Sequence, residues 1–238
     1  IHDVAADYMG ASAITLGIVR KTKVNHNEIS NIPYSAIHCG WGWGSTVTNG
    51  TDMYDIEIGY NRIEEYLIDR VYDGGGTYSV GCQDHIFARN KHSRMIGNYY
   101  IGQRNVYSSI YLDRGSQYWD CTNNVIDQSD VVVQEKNFDS VYYYNEQKNY
   151  SALEQMLGNT GVKQFGFLWG QSSNNSDTVN NVFKDNYAKN AKVVGYYRDV
   201  NSDGESNSVE GASFFGYDGN YTEWSQPAID IMNNAGIE

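Results

Sequence analysis

Proline is nearly absent from this chain: Pro33 and Pro227 are the two in 238 residues. A residue that cannot donate to a strand ladder therefore interrupts little of the sequence. Cysteine is almost as sparse. Cys39, Cys82 and Cys121 are odd in number and far apart, which is no disulfide framework, and no C-x-x-C pair marks a metal site. Buried structural thiols are the expectation. No apolar run approaches the ~20 residues that a membrane-spanning helix needs, so no membrane partner is expected. The first residues do not read as a signal peptide, which is silent about export because a mature chain has lost one. Cations are short as well: 17 Lys and Arg face 29 Asp and Glu, for a net charge of −12 and a pI near 4.7. An acidic surface argues against nucleic acid, anionic membranes and polyanionic substrates as partners, and neutral sugar fits an acidic, aromatic-rich chain better.

What is plentiful is glycine (24), tyrosine (21) and asparagine. Tyr, Val and Ile favour strands, and Gly and Asn favour corners with positive φ. Many short strands joined by tight corners is the first expectation. A β-sandwich would show hairpin signals, but Asn-Gly occurs once, at Asn49-Gly50.

Short strand pieces recur instead. One set is Ile14-Thr15-Leu16-Gly17, Ile37-His38-Cys39-Gly40, Thr77-Tyr78-Ser79-Val80 and Ile110-Tyr111-Leu112-Asp113. A second set is Asn27-Glu28-Ile29, Tyr66-Leu67-Ile68, Asn98-Tyr99-Tyr100-Ile101 and Asn124-Val125-Ile126. The first set starts at residues 14, 37, 77 and 110, so its steps are 23, 40 and 33 residues. A constant minimum with variable excess is the mark of a solenoid with loops inserted at one corner. The fold class expected is all-β, a right-handed parallel β-helix with about three short strands per coil. Period-2 alternation puts positions one and three of the first set inward, and stacks Thr15, His38, Tyr78 and Tyr111 outward, with Asp113 on the same outer face. Between Val131 and Trp169 the pattern blurs, and 151–157 reads as a short helix opened by Ser151 and Glu154. Coils resume near Val182, Val193 and Val209. Pro227–Asn234 with Gly236 beyond it reads as a terminal helix placed to cap the open end of the coil.

Taken together, Tyr72-Asp73-Gly74-Gly75-Gly76-Thr77-Tyr78, Ile110-Tyr111-Leu112-Asp113-Arg114-Gly115 and the run from Pro33 to Gly44 resemble bacterial right-handed parallel β-helix glycosidases. The group most resembled is glycoside hydrolase family 141, with its α-L-fucosidases and xylanases of plant cell-wall degradation. The ending Trp224–Glu238 resembles the closure of these domains. The resemblance implies a pectate-lyase-like domain over residues 1–238 that acts on a plant-type polysaccharide, secreted or periplasmic, with no required cofactor. The start at Ile1-His2-Asp3-Val4 reads as the middle of a coil, so an N-terminal portion is expected on the same or another chain. Cys82–Arg94 departs from the family pattern.

Asp73 and Asp113 are the candidate catalytic pair, since glycoside hydrolysis needs two carboxylates flanking one bond. Asp73 precedes three glycines that let a ligand approach the backbone; the alternative is a turn aspartate satisfying local N–H groups. His38 binds a sugar hydroxyl or tunes a carboxylate, or is a plain surface histidine. Trp41 and Trp43 form a stacking platform or pack over a loop. Tyr78 and Tyr111 supply hydroxyls or walls. Asp199, Asn201, Asp203 and Glu210 match a calcium-loop pattern without flanking helices, so a structural calcium there is the alternative to a coil rung. Competing functions are a polysaccharide lyase or epimerase, which needs cations in the cleft, and a non-catalytic carbohydrate-binding coil.

Overall fold

The computed structural model describes residues 1–4, 12–41, 51–68, 74–102, 107–113, 115–127, 164–169, 180–189, 192–195, 208–210, 213–215 and 223–237. The strands fall into six consecutive triplets. They are β1 Ile14–Leu16, β2 Arg20–Asn25 and β3 Glu28–Ile32; β4 Ile37–Gly40, β5 Tyr54–Gly59 and β6 Arg62–Tyr66; β7 Gly75–Val80, β8 Ser93–Ile96 and β9 Tyr99–Ile101. β10 Tyr107–Leu112, β11 Trp119–Thr122 and β12 Val125–Asp127 follow, then β13 Gln164–Trp169, β14 Val182–Lys184 and β15 Tyr187–Lys189, and finally β16 Lys192–Gly195, β17 Ser208–Glu210 and β18 Ser213–Phe215.

The first members of the triplets build one six-stranded sheet, β1-β4-β7-β10-β13-β16, and the second and third members build two more. Every named strand pairing is parallel. The chain thus visits three parallel sheets in the same order six times, which is compatible with a β-helix. The core lies between the sheets and includes Ile37, Cys39, Ile56, Ile58, Ile63, Met95, Ile110, Leu112, Trp119, Cys121 and Phe183. All three cysteines are buried and free, as expected; burial pushes the Cys39 thiol up to about 12.

One corner is constant. In the first five triplets the chain spends two residues between second and third strands, a left-handed one and an asparagine: His26-Asn27, Tyr60-Asn61, Gly97-Asn98, Asn123-Asn124 and Asp185-Asn186. The asparagines form a ladder. Asn61 Oδ1 accepts from Asn27 N at 3.0 Å and Asn27 Nδ2 at 2.8 Å. Asn98 does the same for Asn61, Asn124 for Asn98 and Asn186 for Asn124, at 2.9–3.0 Å. Each amide also donates to a backbone carbonyl of its own corner or of the preceding coil. This corrects one expected register: the second rung is Asn61-Arg62-Ile63, paired with Glu28 and Ile29, not Tyr66-Leu67-Ile68. Leu67 and Ile68 instead bond to Tyr34 and Ile32 at the next corner.

The outer faces differ. The second sheet carries the column Lys23, Glu57, Arg94 and Asp120 in register, with alternating charge. Glu57 meets Lys23 at 3.4 Å, Arg94, and the Asn25 amide at 2.6 Å; His92 meets Asp120 at 2.7 Å. Helix α1, His85–Ala88, packs against β5 and is capped by Asp84. The third sheet is flanked by α2, Gln226–Asn234, which has Pro at its start as expected. It packs against β12, and Gly236 beyond it donates to the Tyr60 carbonyl at 2.8 Å. Lys189 sits 6.0 Å over the Trp224 ring just before it. The helix therefore runs along the side of the coils rather than capping their open end, because the residues it meets belong to several successive rungs of one sheet.

Asn98→Ala is expected to lower stability by about 2–4 kcal/mol, since it strands buried donors and acceptors on two neighbouring rungs. Asn27→Ala, at the ladder's end, costs about 1 kcal/mol or less, and urea midpoints compare the two. Burial pushes the Glu57 carboxyl up, but Asn25, Arg94 and Lys23 outweigh it and hold it below its ordinary value of 4.5. Its contribution is full above that value and is lost as pH falls through the lower folded value. Glu57→Gln is thus less stable than wild type at pH 7, and the gap narrows by pH 3 in acid-unfolding scans.

Candidate functional site

Because the asparagine corner keeps two residues through the first five triplets, the added length there falls at the two corners that flank the first sheet. By sequence position, 13 residues separate β4 from β5 and 36 separate β12 from β13 at those corners, against two at the ladder. The first sheet is therefore the face that the insertions border, and loops bordering a regular scaffold are where sites are built.

Its outer column has the expected register. Thr15 pairs with His38, His38 with Tyr78, and Tyr78 with Tyr111. Ile14, Ile37, Thr77 and Ile110 form the inward row beside it. The His38 ring meets the edge of Tyr78 at 4.9 Å, Tyr78 meets Tyr111 at 5.2 Å, and Tyr34 adds a contact to Tyr78 at 6.3 Å. The Tyr78 hydroxyl donates to Asp113 Oδ2 at 2.7 Å. The Asp113 backbone is held on both sides: its N–H donates to the Ser79 carbonyl at 2.8 Å and its carbonyl accepts from Ser116 at 2.9 Å. Trp41 follows β4 directly and is 71% exposed.

Sequence reasoning expected this column on an open face. Instead Tyr78 is 5% exposed, Asp113 3%, and Tyr111 fully buried, although the tyrosines lie outside the central core cluster. Alternation sets which way a side chain points and leaves open what lies over it. The glycines after Asp73 also have another reason. A Cβ on Gly74 would sit 2.5 Å from the Tyr34 ring, and one on Gly76 2.7 Å from the Tyr100 ring. They admit aromatic side chains of the protein itself. The Tyr100 hydroxyl then meets Thr77 Oγ1 at 2.8 Å, and Tyr66 meets Ser109 at 2.6 Å, tying the third sheet to the first across the interior.

Asp73, Trp43 and the calcium candidates Asp199, Asn201 and Asp203 lie outside the described residues, as does the expected helix 151–157; Glu210 ends β17. Tyr34 was not singled out by sequence reasoning. Its signal was position, one corner before β4 and three residues ahead of Ile37, where its ring overhangs the aromatic column. Burial lowers the His38 imidazole below its ordinary 6.5, and its Nε2 is enclosed without a hydrogen-bond partner. Among the described residues no group of three or more His, Cys, Asp or Glu is placed to hold a metal ion.

No family model and no curated protein matches the chain. One solved structure, named "Glycoside hydrolase", aligns with 96% of this chain at a TM-score of 0.46 and 20% identity. The chain spans 25% of that protein's length. A likeness of that size is too slight to fix fold or activity.

A histidine lowered by burial resists protonation when folded, so acidification through 6.5 favours unfolding. Wild type is expected to lose stability between pH 7.5 and 5.5, and His38→Phe to lose less over that interval, as read by urea midpoints at each pH.

Proposed function

We propose that the chain is a right-handed, pectate-lyase-like parallel β-helix that hydrolyses glycosidic bonds of a neutral plant-type polysaccharide or its side chains, outside the cytoplasm. Asp113 and Asp73 act as the carboxylate pair. The observation that carries the reading is the register that gathers His38, Tyr78 and Tyr111 with Asp113 on the face bordered by every long insertion. The resemblance to family 141 glycosidases in the segments around Asp73 and Asp113 supports it. So does the net charge of −12, which disfavours polyanionic uronans and hence the lyase and epimerase alternative. Trp41, exposed two rungs from Asp113, or about 10 Å, is the stacking surface for a sugar ring.

The burial of Asp113 favours a second reading, a non-catalytic carbohydrate-binding coil in which this carboxylate ties two rungs together. Mutation separates them. On xylan, fucosylated xyloglucan and 4-nitrophenyl glycosides, Asp113→Asn and Asp73→Asn are each expected to reduce kcat by at least about 100-fold. Turnover that persists in both variants removes these aspartates from the chemistry, and sugar binding without turnover by wild type establishes the second reading. Unsaturated products would show a lyase.

A further inference from the structure

We propose that Tyr78 is the positioning residue for Asp113, and does not line the sugar site as a wall; this rests on the glycosidase reading above. The phenol is committed: its hydroxyl donates to Asp113 Oδ2 at 2.7 Å. Its ring is held by neighbours on several sides, with His38 at 4.9 Å, Tyr111 at 5.2 Å and Tyr34 at 6.3 Å. At 5% exposure it offers a ligand little surface. The two residues lie on adjacent strands, where Tyr78 pairs with Tyr111 and Asp113 follows two residues later, so the bond runs diagonally along the outer face. The backbone of Asp113 is fixed by Ser79 and Ser116. A hydrogen bond to one carboxylate oxygen from a packed, buried ring restrains the side chain as well. Holding a reacting carboxylate in one orientation is where such a bond acts, because small misplacements of a catalytic group cost rate rather than binding.

Tyr78→Phe keeps the ring and its packing and deletes the hydroxyl. Assayed on whichever of xylan, fucosylated xyloglucan or the 4-nitrophenyl glycosides the wild-type protein turns over, it is expected to lower kcat by about 10–100-fold, with KM within about twofold. A second variant carries 2,3-difluorotyrosine at position 78, which retains ring and hydroxyl while making the phenol more acidic; its pH–rate profile is expected to move, which a purely structural tyrosine would not cause. Unchanged kcat in Tyr78→Phe, or an unmoved profile in the fluorinated protein, overturns the inference. If Asp113→Asn abolishes turnover while Tyr78→Phe does not, the inference alone fails. If Asp113→Asn is as active as wild type, or wild type turns over none of these substrates, the underlying reading fails with it.

Discussion

A buried primary amide has two donors and two acceptor lone pairs, and inside a protein each needs a partner. At the corner between the second and third sheets, that requirement is met by repetition. At Asn61, Asn98 and Asn124 the oxygen takes two donors from the asparagine before it, and the amide nitrogen gives one bond forward and one to a backbone carbonyl. No single asparagine satisfies this alone; Asn61, Asn98 and Asn124 depend on the one before and the one after. The αL residue ahead of each ladder asparagine turns the chain so that the amide points along the stack. The corner thereby holds successive coils in step whatever the chain does elsewhere.

Everything variable is consequently moved to the other two corners. The three faces show how that freedom is used. On the second sheet, Lys23, Glu57, Arg94 and Asp120 alternate in sign, so stacking identical positions at the spacing of paired strands brings attraction rather than repulsion. The third is flanked by α2 and Trp224. The first carries rings instead of charges, and it alone has variable corners on both sides. Tyr78 and Tyr111 of that column are buried where they stand, on the face that the insertions border.

The part of this legible in the sequence is the part that alternation controls. The first strand set is in correct register over four rungs, because Ile14, Ile37 and Ile110 each begin an alternating step that a shift of one residue would invert, and Thr77 falls in line with them. The second set failed at one rung. Asn61-Arg62-Ile63 and Tyr66-Leu67-Ile68 both end in Ile, and what separates them is the asparagine, whose role needs a neighbour 37 residues away. β13 was lost for a related reason: the chain between β12 and β13 is long enough to hide the period. The glycines near Asp73 misled because a glycine reports that space is short without naming the occupant, here Tyr34 and Tyr100. Burial of Tyr78 and Asp113 was beyond parity altogether.

Two carboxylates of the described coils are buried, and their surroundings differ in kind. Glu57 lies between Lys23 and Arg94, so its charge is cancelled where it stands, the arrangement that suits a structural ion in a sheet face. Asp113 receives a phenol hydroxyl. A neutral donor orients one oxygen without adding an opposing charge of its own. The bond also spans two rungs, whose spacing the ladder already holds. Under the glycosidase proposal, a fixed orientation is what a carboxylate that acts on a bound molecule needs, and the Tyr78 hydroxyl is the donor placed to give it.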